Sequence, residues 1–246
     1  IVGTAGRIAD HLSSKSFFIN GLELLILDEA DRMLDLGFKD HLLMIDTFAD
    51  HRKRQTMMFS ATIDKIDIDK LAKQLLNSPA RIVVGSATEQ HAQIAQQYVF
   101  ADHIEHKQQL LQKALEQHEH NQALVFVATR EDTEKLAELL NKSGFDSIAL
   151  HAELAQNQRS NVMNAFTRGQ HSLLICTDVA SRGLDIPNVD LVINYDLPKQ
   201  AEEYIHRIGR TGRAEKSGAA LSFVGPRDWR SFCAIRALLD YQLEMA

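Results

Sequence analysis

The residues of this chain best suited to chemistry are carboxylates and arginines placed where apolar runs end. Asp28-Glu29-Ala30-Asp31 follows directly on Leu24-Leu25-Ile26-Leu27. An Asp at the carboxyl end of a buried parallel strand sits where open α/β sheets bind ligands. Its oxygens suit Mg²⁺, an ion that prefers oxygen ligands and keeps waters of its own. The neighbouring Glu29 can orient or deprotonate an attacking water. The same residues also make an acidic helix start, since carboxylates favour helix N-termini. Spacing alone leaves these two readings level.

Tyr204-Ile205-His206-Arg207-Ile208-Gly209-Arg210-Thr211-Gly212-Arg213 is the second such stretch. On a helical turn, Arg210 and Arg213 share a face. Paired guanidinium groups reach one phosphate with fixed charge and planar forks. There they stabilise the charge that develops on a transferred phosphoryl group. Gly209 and Gly212 remove side chains where a nucleotide or backbone comes close. A merely solvated basic helix face has no use for glycines, which weaken a helix.

A third stretch is Thr177-Asp178-Val179-Ala180-Ser181-Arg182-Gly183-Leu184-Asp185-Ile186-Pro187, after the apolar run 173–176. A hydroxyl and backbone amides at a helix start suit phosphate, and Asp185 is placed to accept from a ribose hydroxyl. An ordinary strand-to-helix loop with an Asp cap accounts for the same residues. Other strand ends carry Ser60-Ala61-Thr62, which also reads as a helix cap, and Ala128-Thr129-Arg130.

The elements that must hold these residues are legible from periodicity. Apolar runs of strand length fall at 24–27, 56–59, 82–84, 124–127, 147–150, 173–176, 191–193 and 220–224. Segments of helical period lie between them, at 40–48, 66–76, 107–116, 131–140, 156–166 and 202–208. Strand alternating with helix predicts an α/β fold: parallel sheet with helices on both faces. Runs apolar on consecutive residues predict strands buried on both sides. Between Gly85 and Gln97 large apolar residues thin out, which predicts an interdomain linker over 86–97. It separates 1–85, about half a typical domain, from a complete-looking α/β domain over 98–246.

Composition sets weaker bounds. The chain is 45% apolar and 24% charged, with a formal net charge of −6. That charge weighs lightly against a nucleic-acid partner, which needs Lys and Arg, but a short basic groove can sit in an acidic protein. The two cysteines, Cys176 and Cys233, form no disulfide framework and suggest a reduced, cytoplasmic setting. No apolar stretch is long enough to span a bilayer, and no signal peptide is visible, so no membrane role is expected. His103-x-x-His106 and His118-x-His120 lack the further ligands of a metal site and read as solvated helix faces. Trp229 and Phe232 read as core, and Cys176 as inert core.

Asp28-Glu29-Ala30-Asp31 with Arg32-Met33-Leu34-Asp35-Leu36-Gly37-Phe38, Ser60-Ala61-Thr62, the 177–187 loop and the 204–213 run resemble, in order, the motifs of DEAD-box ATP-dependent RNA helicases. Gln156-Asn157-Gln158-Arg159 is similar to a family element on the RNA side, and Thr4-Ala5-Gly6-Arg7 to a phosphate-contacting turn. The matches span nearly the whole chain. The resemblance implies two RecA-like domains, the first incomplete. It implies ATP and Mg²⁺, with Asp28 and Glu29 serving the metal and the hydrolytic water, and Arg210 and Arg213 acting as arginine fingers. Asp31, Ser60, Thr62 and His206 would couple the ATP and RNA sites, and Gly183 and Asp185 would lie near ATP. RNA would be held by its backbone at Thr4, Gly6, Arg7, Thr129, Arg130, Gln156, Arg159, Thr177 and Asp178. Protein partners are left open.

The chain departs from the family pattern at Ala5, where Pro is usual, at Ala152, where Gly is usual, and at Ser181, where Ala is common. Its start, Ile1-Val2-Gly3, lacks an initiator Met and reads as a cut. The phosphate-cradling pattern G-x-x-x-x-G-K-[ST] does not occur in the 246 residues. The expected activity is therefore RNA-dependent ATP hydrolysis coupled to duplex remodelling, with this stretch alone inactive. The alternative is a non-catalytic RNA-binding or interaction module.

Overall fold

Helices between successive strands of this chain carry it back to the sheet's starting edge, so the strands pair in parallel. The computed structural model describes residues 1–60, 66–83, 93–181, 186, 189–212, 217–239 and 241–246. The chain divides into two units, Ile1–Ile82 and Val83–Ala246.

The first unit comprises α1 (Ala5–Ser13), β1 (Leu24–Leu27), α2 (Ala30–Asp35), α3 (Lys39–Phe48), β2 (Gln55–Met58) and α4 (Ile66–Leu75). β1 and β2 pair in parallel, from Leu24 opposite Gln55 to Leu27 opposite Met58. Leu27 packs with Ala5, Leu12, Leu42, Ile45, Leu71 and Leu75. The expectation that these strands are buried on both sides does not hold. Leu24 and Ile26 are 45% and 53% exposed, as Met57 and Phe59 are at 37% and 52%. Side chains alternate along a strand, and the described helices cover the side that bears Leu25, Leu27 and Met58.

The second unit runs β3 (Ile94–Phe100), α5 (Ile104–Gln117), β4 (Ala123–Phe126), α6 (Arg130–Lys142), β5 (Ser147–Leu150), α7 (Gln156–Thr167), β6 (Leu173–Cys176), α8 (Asp178–Ser181), β7 (Leu191–Asn194), α9 (Ala201–Ile208), β8 (Gly218–Val224), α10 (Trp229–Leu238) and β9 (Glu244–Met245). Its seven strands lie in the order β5-β6-β4-β7-β8-β3-β9 and pair in parallel throughout. Both faces are covered. Leu124 and Phe126 pack with Met163, Phe166, Tyr204, Ile208 and Phe232. Ala123, Val125 and Val127 face the other way, against Leu111, Leu115, Leu136 and Leu140.

Three expectations change here. The stretch read as linker is strand from Ile94 onward, β3 pairing with β8 on one side and β9 on the other; residues 86–92 of it lie outside the described residues. Gln96 and Gln97 stand in that strand, opposite Ala220 and Leu221 of β8. Gln96, 8% exposed, accepts from the Tyr204 hydroxyl at 3.0 Å and donates to the Tyr241 oxygen at 2.6 Å. Residues 82 and 83, read as strand, belong to no strand, and 84 is outside the description. Trp229 is 55% exposed while Phe232 is core; three residues apart, they share a face of α10 with ring centroids 5.9 Å apart, and Trp229, at the helix start, covers the outer rim of that contact.

The turn after α9 depends on Gly212, whose φ is +67°. A Cβ there would come within 2.6 Å of Ile94 Cγ1 on β3. Gly212→Ala therefore combines left-handed strain with overpacking and is expected to cost about 2 kcal/mol or more. A lowered urea midpoint at unchanged slope would report it; an unchanged midpoint would refute this role for the turn.

Candidate functional site

In the first unit, the ends of β1 and β2 are laced together. Phe59 N–H donates to the Leu27 carbonyl at 2.8 Å and Ala30 N–H to the Phe59 carbonyl at 2.9 Å. Asp28, Glu29 and Ser60 therefore leave the sheet at one edge. Asp28 and Glu29 are exposed, whereas Ala30 and Asp31 are buried. Glu29 has φ 52° and ψ 48°, the left-handed region, and its side chain makes no cap bond to α2. Its backbone N–H donates to Asp28 Oδ1 at 3.0 Å, and its carboxylate accepts from Arg32 Nη1 at 2.7 Å. A simple acidic cap would spend that carboxylate on the helix amides; here it is held off the helix end by a guanidinium. Asp31 turns inward and accepts from Arg32 N–H at 3.0 Å. Ser60 is half-buried, and Thr62 lies outside the described residues.

Thr4 caps α1, its Oγ1 accepting from Arg7 N–H at 3.4 Å. Ala5 takes the first helical position, where Pro is also at home. Thr4 and Arg7 are exposed, and a Cβ on Gly6 would touch the Phe38 ring at 3.4 Å.

In the second unit, β4, β6 and β7 are neighbours and end at one edge. Thr129, Thr177 and Asp178 all leave the sheet there. Asp178, expected near RNA, is gripped by an arginine: Arg207 Nε donates to its Oδ1 at 2.6 Å and Arg207 Nη2 to its Oδ2 at 2.7 Å. Arg207 is 2% exposed. Its Nη1 also donates to Asn194 Oδ1 at 3.1 Å and to the Asp196 carbonyl at 2.6 Å, and its guanidinium lies 4.8 Å from the centre of the Phe126 ring. Sequence reasoning gave Arg207 no role. Its signal was the helical stripe Tyr204, Arg207, Ile208, all buried in α9, because a cation in an apolar stripe needs a partner.

Arg210 does not continue that helix. α9 ends at Ile208 with Gly209 as cap, so Arg210 lies beyond the helix rather than on one of its faces. Arg210 sits half-buried in the following turn, its carbonyl accepting from Val189 N–H at 3.1 Å. Arg213, Gly183 and Asp185 lie outside the described residues. Gly212 admits β3 rather than a nucleotide at its Cα. His206 points Nδ1 towards Glu203 Oε2 at 3.8 Å, beyond hydrogen-bond range.

Thr129 works as a helix cap, its Oγ1 accepting from Asp132 N–H at 3.2 Å and donating to Asp132 Oδ2 at 2.5 Å. Arg130 pairs with Glu153. Gln156 opens α7 and is exposed. Arg159 Nη2 donates to the Ala180 carbonyl at 3.0 Å, which ties α7 to the loop after β6. Thr177 is buried at 9% exposure. Burial pushes the Cys176 thiol up, as for an inert core residue. His103 caps α5 by accepting from His106 N–H at 3.1 Å. Among the described residues, no group of three or more His, Cys, Asp or Glu is placed to hold a metal ion. Among them, too, no helix is long and apolar enough to cross a membrane.

Comparison with known proteins matches residues 1–71 to the DEAD/DEAH box helicase family and residues 105–215 to the helicase conserved C-terminal domain. The ATP-dependent RNA helicase SrmB of Haemophilus influenzae is 41% identical over 94% of this chain and 52% of its own length. The ATP-dependent rRNA helicase rrp3 of Schizosaccharomyces pombe is 39% identical over 99% of this chain and 52% of its own length. The chain thus spans about half the length of the curated relatives it matches. Among solved structures, Saccharomyces cerevisiae Dbp5 bound to RNA and ADP BeF3 aligns with a TM-score of 0.87 at 30% identity, covering 100% of this chain and 65% of that one. Escherichia coli SrmB bound to the regulator RraA aligns with a TM-score of 0.60 at 37% identity, covering 62% of this chain and 90% of that one.

The Asp178 fork makes a prediction of its own. Asp178→Ala leaves a buried guanidinium without its carboxylate and is expected to destabilise the second unit by about 3 kcal/mol. Denaturant unfolding followed in that unit measures it; a loss below about 1 kcal/mol would show that Asn194 and the Asp196 carbonyl suffice.

Proposed function

This chain belongs to the DEAD-box family of helicases, and we propose that it serves an ATP-dependent RNA helicase that remodels short RNA duplexes as ATP is bound and hydrolysed. The observation that carries this reading is the Asp28–Glu29 corner. A non-glycine residue is held in the left-handed region at a cost of order 1–3 kcal/mol, and it presents adjacent carboxylates beyond the carboxyl end of a parallel strand. A helix cap alone requires neither the strain nor the exposure.

In the proposed mechanism, Glu29 orients and takes a proton from the attacking water, and Arg32 Nη1, 2.7 Å from Oε2, holds its carboxylate aimed. Asp28 and Glu29 would hold Mg²⁺; their hard, exposed oxygens fit an ion that retains its own waters, and it would neutralise phosphate charge. Arg210 and Arg213 stabilise charge on the transferred phosphoryl group, with Gly183 and Asp185 at the nucleotide. RNA is held through its backbone by Thr4, Gly6 and Arg7 in one unit, and by Arg130, Gln156, Arg159 and the Thr177 loop in the other. Thr129 shapes that surface as the cap of α6, and Asp178 as the brace of its loop. Asp31, Ser60, Thr62 and His206 couple nucleotide state to RNA. A cytoplasmic setting belongs to the same proposal, consistent with free thiols at Cys176 and Cys233.

In the longest protein its gene encodes, Glu29→Gln is expected to lower RNA-stimulated ATP turnover about a hundredfold or more while leaving ATP affinity largely intact. Normal turnover would overturn the assignment. The 246 residues by themselves are expected to hydrolyse no ATP above background, since the phosphate-cradling pattern is not among them. RNA-stimulated turnover by that protein would sink this expectation.

A further inference from the structure

Lys107 lies on α5, among the apolar stripe Leu111, Ala114 and Leu115, and is 7% exposed. Its Nζ donates to Asp196 Oδ1 at 2.9 Å and to Asp228 Oδ2 at 2.8 Å, and lies 5.3 Å from the centre of the Tyr195 ring. A lysine is almost never buried unless paired, and this one is paired twice. Its carboxylates are also occupied by backbone. Asp196 Oδ2 accepts from Ala128 N–H at 2.9 Å. Asp228 accepts from Gly225 N–H at 3.0 Å and from Leu197 N–H at 3.3 Å. One ammonium thus gathers the chain segments that leave the sheet after β4, β7 and β8.

Asp196 stands at the centre of this arrangement. Its side chain joins Lys107 to the Ala128 amide, the residue before the Thr129 cap and Arg130. Its carbonyl accepts from Arg207 Nη1 at 2.6 Å, and Arg207 in turn grips Asp178. The strand-end loops assigned above to RNA are therefore connected through one residue, and that residue is fixed from below by Lys107. None of these contacts leaves Lys107 exposed to a ligand.

We propose that Lys107 is a positioning residue for RNA: acting through Asp196, it fixes the Ala128–Arg130 turn and the Asp178 loop without touching RNA itself. The inference rests on the RNA reading of those loops. It separates from a direct contact by salt dependence, because only a residue that neutralises phosphate contributes to the slope of affinity against salt.

The test uses the 246-residue protein, a short fluorescent oligo(U) and amide hydrogen exchange. In Lys107→Met, the Ala128 amide is expected to exchange at least about tenfold faster while core amides of β4 hold. Oligo(U) affinity, normalised to folded protein, is expected to fall about tenfold at unchanged salt slope. Asp196→Ala should produce the same loss, and the double variant no more than either single one, as for residues acting in series. A folded Lys107→Met with unchanged affinity would overturn the proposal. So would a salt slope reduced by about 0.7, the mark of one lost phosphate contact on a single strand. If Lys107→Met does not fold, Asp196→Ala decides, since it leaves Lys107 paired with Asp228; unchanged affinity there is equally fatal. An unsubstituted protein with no affinity for oligo(U) would instead remove the RNA reading, and this inference with it.

Discussion

A guanidinium at 2% exposure is the constraint around which the second unit is arranged. Taking Arg207 out of water is expensive unless its donors are met and its charge is answered. The structure answers it with a two-oxygen carboxylate, an amide oxygen, a carbonyl and an aromatic face. These partners come from three places: Asp178 from the start of α8 after β6, Asn194 and Asp196 from the end of β7, Phe126 from β4. Desolvating one cation therefore sets the relative position of three strand ends and a helix. An apolar residue could fill the same volume, but it would not dictate which loops must meet.

Parallel pairing supplies the frame in which that is possible. It brings every strand's carboxyl end to one edge, so polar residues far apart in sequence become neighbours without long loops. Lys107 and Arg207 use this edge from opposite sides of the sheet, since α5 and α9 belong to its different faces. They meet at Asp196, one through its carboxylate and the other through its carbonyl. The first unit applies the same geometry on a smaller scale, with β1 and β2 delivering Asp28, Glu29 and Ser60 to a common edge.

Most of the strands and helices were legible because their burial is periodic. Runs such as Leu173–Cys176 could only be central parallel strands, and they are buried throughout. β3 was hidden because its inward positions include Gln96, whose amide is satisfied by tyrosines 108 and 145 residues away; no local pattern carries that information. That Asp28 and Glu29 stand at a strand end was readable from the apolar run before them, but the left-handed backbone of Glu29 was not. The ion pair of Asp178 was not legible, because its partner Arg207 comes from α9, 29 residues away. Lys107 and Arg207 were overlooked for a shared reason. A charged residue in an apolar stripe looks like a surface residue until the opposing carboxylates are brought in by tertiary structure.

Glu29 also bears on how this corner can change. Its backbone is one that glycine adopts freely and glutamate does not. Pressure for thermal robustness alone would thus favour losing the side chain, and relief of strain would coincide with loss of a carboxylate at the strand edge. Position 29 is therefore a place where stability and chemistry pull in opposite directions. On the role proposed for Glu29, a screen that ranks variants by melting temperature would promote the ones least able to activate water.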